Sequence, residues 1–443
     1  MKHFALALAF AALAAVAPAQ AAELRALDIA PGVQTWFQED HTVPMVAIVV
    51  ALPAGSAYDP KDKAGLAAFS AYMLNEGAGD MTSEQYQAAL ANRAIQLNMT
   101  PGRDTLVISI STLTANAPEA LRLLGLALQK PRFDTDAVER VRAQMFQALA
   151  QEQQDPPTVA SNRFYEVFFA GHPYAHNTNG DPAGIKAITA ADMKAFAATH
   201  WVRGGAQITV AGDIGPGAAT TLLKAAIAPL PGITPPPPPP VTHPNAPGVT
   251  IAPLDVPQPT AVFGLPGMVR KDPEYLAGFV ANYIVGGGDF SSRLTAEVRE
   301  KRGLTYGIST TFGDFRGAGF VLGQVATRRD SMNQSLTVTR ATLADFAAHG
   351  PTEAELKDAK TYLTGSYPLA FASNAGIASQ LNAYQRAGLP IDYVKKRNAM
   401  INALTLAQVR HAAARLFDPK RMTVVVGGTI TPGVAPRKPN TRR

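Results

Sequence analysis

Ser291-Ser292-Arg293-Leu294-Thr295-Ala296-Glu297-Val298-Arg299-Glu300-Lys301-Arg302-Gly303-Leu304-Thr305-Tyr306-Gly307-Ile308-Ser309 is the stretch that decides how this chain is read. The paired hydroxyls suit a helix N-cap, because a serine oxygen accepts from the unpaired N–H groups of a first turn. Leu294 and Val298 recur at helical spacing, a basic cluster falls in the last turn, and Gly303 stands where a helix C-terminal cap is wanted. Residues 304–309 then read as a strand start. The spacing thus puts Arg299 at the end of a helix and Tyr306 at the opening of a strand, joined by a tight turn. On this pattern alone two outcomes stay open: a corner with solvated charges, or a corner that aims a guanidinium and a phenol into one space.

The rest of the chain contains an internal repeat. Residues 188–214 run through a Thr189-led amphipathic helix, Trp201 and an apolar strand ending at Gly212. Residues 404–430 repeat this with Thr405, Phe417 and Gly427. Upstream, residues 44–50 and 65–67 pair with 260–264 and 275–277. Each half reads as a strand, a long helix, further strands, then helices and a last strand. Without strict βαβ alternation this predicts an α+β fold of two homologous domains in tandem, each a mostly antiparallel sheet packed with long helices. The expected boundaries are 22–230 and 248–430. Between them, residues 231–247 hold an unbroken proline row from Pro235 to Pro240, which predicts an extended spacer. The tail, 431–443, is expected to be disordered.

The chain has 443 residues and no cysteine, so a metal could be held only by His, Asp or Glu. Lys and Arg exceed Asp and Glu by only 40 to 34, with no basic stripe interleaved with aromatics, which speaks against nucleic-acid binding. Residues 1–21 combine a basic start, an Ala/Leu-rich run and Ala19-Gln20-Ala21, the pattern of a cleaved secretory signal peptide. The apolar run is short for a membrane span, and no later run reaches that length, so no stable membrane insertion is expected.

Residues 298–306 resemble the R-E-K-R-G-L-x-Y signature of the pitrilysin/insulinase/mitochondrial processing peptidase family of zinc peptidases. The resemblance covers nearly the whole mature chain and implies two processing-peptidase-like clamshell halves, facing each other or facing a partner's. It implies that Arg299 and Tyr306 reach across a cavity to a substrate held at zinc. Active members carry H-x-x-E-H on a helix of the first half, two histidine ligands flanking a general base. Here that helix reads Gly65-Leu66-Ala67-Ala68-Phe69-Ser70-Ala71-Tyr72-Met73. Leu66, Phe69 and Met73 keep the core stripe, but Ala68 and Tyr72 replace the histidines and Ala71 the base. The expected Glu-Glu of a later helix becomes Gln147-Ala148, and Glu139 and Glu152 nearby read as a solvated face. Of eight histidines only His172 and His176 have ligand-like spacing, within a Pro/Asn/Gly loop that family members carry without metal. Gly286, Gly287 and Gly288 lack the ending of a phosphate loop. They read as a flexible turn, and the resemblance implies a peptide contact there.

Taken with this resemblance, the chain is expected to be a periplasmic subunit that binds no zinc. It would bind peptide substrates and supply Arg299 and Tyr306 to an active site whose zinc lies on a homologous exported partner carrying H-x-x-E-H. The alternatives are an inert peptide-binding or scaffold protein of the same fold and, further off, a self-sufficient peptidase with an unrecognised site.

Overall fold

The computed structural model describes residues 23–241 and 245–431; residues 1–22, 242–244 and 432–443 lie outside the described residues, and with them the expected signal peptide and all but the first residue of the expected tail. Strands β1 (Arg25–Leu27), β2 (Gln34–Glu39) and β3 (Met45–Leu52) open the first half, followed by a small hairpin of β4 (Gly77–Ala78) and β5 (Met81–Thr82). Strands β6 (Gln96–Pro101), β7 (Leu106–Leu113) and β8 (Gln207–Gly212) complete a six-stranded sheet of order β1-β2-β8-β3-β7-β6. The second half builds β9 (Gly248–Ala252), β10 (Thr260–Pro266), β11 (Ile308–Phe315), β12 (Ala318–Ala326) and β13 (Thr423–Gly427) into a five-stranded sheet of order β11-β12-β10-β13-β9. Read from the opposite edge, the first sheet repeats the second. All neighbours are antiparallel except one parallel pair in each, β2 with β8 and β9 with β13. This is the tandem α+β arrangement predicted from the repeat. The helices led by Thr189 and Thr405 both carry a reciprocal capping box, with Asp192 and Gln408.

Each sheet has helices on both faces, which is why β3 and β10 are buried almost throughout. One face packs on helices of its own half. The other face is covered by a helix from the opposite half. The Pro156–Phe168 helix lies on the second sheet, where Phe164 and Phe168 stack at 4.9 Å and pack with Val262, Phe320 and Val425. Gly264 makes room for it: a Cβ there would sit 2.4 Å from the Phe164 ring. The Asn374–Arg386 helix reciprocates on the first sheet, seating Ile377, Ala378 and Leu381 on Trp36, Ala47 and Val49. Each buried phenylalanine contributes about 1.5–3 kcal/mol. The two halves are therefore interlocked by exchanged helices as well as joined by the spacer. Residues 231–241 carry no helix or strand and run against both halves, with Pro239 O accepting from His172 Nε2 at 2.8 Å and Pro239 and Pro240 lying beside Gly317.

Candidate functional site

Ser292 caps the signature helix, its Oγ accepting from Thr295 N at 3.3 Å. The helix is not the regular α-helix that the spacing predicts. Residues Thr295–Glu300 are π-helical, and Lys301 N donates to Ala296 O five residues back. Buried Leu294 and Val298 fix its inner face. Arg293 fixes its start with two bonds to the Glu355 carboxylate, at 2.6 and 2.8 Å, and one to Gly350 O. Burial alone would raise the Glu355 carboxyl, but Arg293 and Thr352 outweigh it and hold the group down to about 2. Gly303, at φ 61°, closes the helix, donating to Arg299 O while Leu304 N donates to Val298 O.

The strand begins at Ile308, four residues later than predicted, so Tyr306 precedes it. Thr305 is the reason: its hydroxyl donates to Ala326 O at 2.7 Å and accepts from Gly307 N at 3.1 Å, holding a turn where a ladder would otherwise start. That turn projects Tyr306 outward, 89% exposed. The flanking cations are neutralised, Lys301 and Arg302 both by Glu297. Arg299 pairs with no carboxylate among the described residues, and its guanidinium lies 4.5 Å above the ring of Phe290.

The glycine segment divides in two. Gly286 is buried, and a Cβ there would lie 2.4 Å from Thr310 Oγ1, so packing explains it; it offers no surface for a peptide. Gly287 is exposed, and Gly288 packs beside the Tyr283 ring.

In the first half, the Leu66–Tyr72 helix begins at Gly65, whose φ of 97° and contact with Asn179 O require glycine. Asp59 caps it, accepting from Gly65 N and Ala67 N at 2.8 Å each, with His176 Nε2 at 3.3 Å. Burial pushes the Asp59 carboxyl upward despite these bonds. Ala68 and Ala71 are fully buried in the first core. Tyr72 donates to Asn179 Oδ1 at 3.2 Å, and Asn179 and Asn177 each donate to Glu152 at 2.7 Å. Gln147 is exposed on the Thr135–Glu152 helix and takes no part. Glu152 is therefore no solvated carboxylate: it anchors a network of amides beside the former ligand position, at the edge of a cleft of about 600 Å³. Asn162 also donates to Glu152 at 3.3 Å. Glu139 does point outward, bonded to Arg142.

His172 and His176 do not converge. Both ring nitrogens of His172 are committed to backbone, Nε2 to Pro239 O and Nδ1 to Tyr174 N, while His176 turns to Asp59. Among the described residues no three His, Asp or Glu side chains cluster to hold a metal. Two buried methyl groups and a hydrogen-bonded phenol do not fit zinc at the position of the inverted motif.

Fold and site together define a peptidase-family protein that has lost its metal-binding side chains. Residues 35–181 match the model of the insulinase family, peptidase family M16, and residues 187–363 match that of the peptidase M16 inactive domain. The chain belongs to this family. It is similar to a Helicobacter pylori protein described as a non-peptidase homologue, with 27% identity over 84% of this chain and 86% of that one. An uncharacterised zinc protease of Mycobacterium leprae is 23% identical over 87% of each chain. The crystal structure of a peptidase M16 inactive domain from Pseudomonas fluorescens superposes with a TM-score of 0.87 and 29% identity, covering 94% of this chain and all (100%) of that one. A Helicobacter pylori protease shares the fold at a TM-score of 0.83 and 16% identity, over 91% and 99% of the two chains.

Proposed function

We propose that this protein is the substrate-binding, zinc-free subunit of an exported two-chain metallopeptidase. The observation that carries the proposal is the state of Arg299 and Tyr306. One has no carboxylate partner and the other is almost wholly exposed, although the helix and turn that present them are firmly anchored. Polar side chains left without partners on an anchored backbone suit a reaction centre completed from outside the chain. The partner, a homologue carrying H-x-x-E-H, supplies zinc and the attacking water. In this chain's share of the site, the Tyr306 hydroxyl donates to the oxyanion that develops on the scissile carbonyl. Arg299 binds a neighbouring peptide carbonyl or orients Tyr306. Residues 1–21 direct export to the periplasm.

The test is hydrolysis of a quenched peptide set by this chain, by the exported H-x-x-E-H homologue of the same genome, and by an equimolar mixture. Activity that appears only on mixing, and is lost with chelator, supports a shared site. A stable complex without any gain of hydrolysis favours the scaffold reading, which the buried Ala68 and Ala71 also suit.

A further inference from the structure

We propose that strand β9 is a pairing edge for a second copy of this chain, docked antiparallel about a two-fold axis through Thr250. β9 closes one side of the second sheet and has a single strand neighbour, β13. Gly248 N donates to Met422 O and Ala252 O accepts from Gly428 N, so residues 248, 250 and 252 turn their backbone groups to β13. By alternation the N–H and C=O groups of Val249 and Ile251 face outward, where no strand among the described residues meets them. The first half has what the second lacks. Val249 and Ile251 lie beside Val424 and Val426, as Thr35 and Phe37 lie beside Ile208 and Val210. Thr35 and Phe37 are buried, and β1 pairs with their strand residue by residue. Val249 and Ile251 are 51% and 39% exposed, and nothing in the described second half stands in for β1.

A second copy fits this edge by register. Pro247 and Pro253 flank Thr250 at equal distance along the chain. With the axis at Thr250 the whole of β9 pairs with its counterpart, Val249 opposite Ile251, and each outward N–H meets an outward carbonyl. The prolines, which have no N–H to leave unpaired, then face each other at both ends and stop the ladder, so the contact closes as an isologous pair. The axis sets the two valines and two isoleucines side by side on one face. It also carries Lys420 and Arg421, which adjoin Gly248 through Met422 and have no carboxylate partner among the described residues, toward the exposed Asp255 of the other copy. The contact is small. So short a strand falls well below the area of about 800 Å² per partner in a stable complex, which makes the dimer reversible, with half-association at about 10–100 µM.

The chain has no cysteine, so single-cysteine variants report the register directly. Oxidation of mature Thr250→Cys at about 200 µM should give a disulfide-linked dimer, because opposed residues of a non-hydrogen-bonded pair bring their Cα atoms to about 4.5 Å. Val249→Cys should stay uncrosslinked, its two copies lying on a diagonal of about 7–8 Å. Sedimentation equilibrium of the unmodified chain should show reversible dimerisation. Ile251→Lys should weaken it at least about tenfold with thermal unfolding unchanged, since a lysine blocks an edge strand. Val43→Lys, at an exposed valine of the first half, should retain it. A monomer throughout that range, equal cross-linking of the two cysteine variants, or equal weakening by Val43→Lys would overturn the pairing. So would slow amide exchange at Val249 and Ile251 in the dilute monomer, since the edge would then be covered within one chain. No zinc-bearing homologue enters these measurements, so they and the mixing assay fail independently.

Discussion

Gln385, on a helix of the second half, accepts a hydrogen bond from Thr209, on a central strand of the first, at 2.7 Å with both residues buried. The same side chain donates to Gln34 O at 3.1 Å, and Asn382 one turn earlier donates to Gln207 O at 3.0 Å. Buried polar groups of this kind are costly when unpaired and so fix one register of the helix on the sheet. Gln385→Leu leaves the Thr209 hydroxyl and the Gln34 carbonyl without partners. It should lower stability by about 2–3 kcal/mol, read from the midpoint of urea unfolding. A change below the error of that measurement would mean that the network does not hold the halves together.

The reciprocal contact makes a different prediction. Gly264→Ala pushes a methyl group into the Phe164 ring, an overpacking that costs about 1–3 kcal/mol. Phe164→Leu alone loses ring contacts in the same cluster. Because the two side chains would compete for one space, the double variant should be more stable than the sum of the single losses implies. Strict additivity in denaturant titrations would count against direct contact.

Restoring the inverted zinc motif should fail. In Ala68→His/Ala71→Glu/Tyr72→His, two polar side chains must enter a closed core, and the Tyr72 bond to Asn179 is lost. The expected result is a loss of about 3 kcal/mol or more and no stoichiometric zinc by elemental analysis. Stoichiometric zinc at undiminished stability would contradict the packing described for this helix.

Acid stability should depend on Glu355. Its folded-state carboxyl is depressed from 4.5 to about 2. A depressed carboxyl contributes stability that is fully present above its unfolded value and is lost as pH falls through the folded one. Unfolding free energy should therefore drop between about pH 5 and pH 2. The drop should be shallower in Glu355→Gln, compared by urea titrations across that range. Parallel curves for the two proteins would show that the Arg293–Glu355 pair has no such role.

Much of the fold was legible because its signals are local. Threonine caps, helical stripes and glycine-ended strands recur in the two halves, and each acts within a few residues of itself. The exchanged helices were not, since Gln385 meets Thr209 across 176 residues of sequence and Phe164 meets Val262 in the other half. Their signals were present but had no addressee: an aromatic cluster at 164, 168 and 169, and glutamine and asparagine on an otherwise apolar helix face. At the site, the signature, its caps and the missing ligands could be read directly. The late start of β11 could not, because it depends on Thr305 reaching Ala326 on the next strand. Glu152 was misjudged for a similar reason, its partners lying on a distant loop.

The central claim is that the Tyr306 hydroxyl acts in a site shared between two chains. The measurement that tests it most directly is turnover by the reconstituted mixture with wild-type protein and with Tyr306→Phe, alongside sedimentation and zinc content. The variant should assemble and carry the partner's zinc as before, while turnover falls about 100- to 1,000-fold, the usual loss for one oxyanion donor. Unchanged turnover in a fully assembled complex would contradict the account.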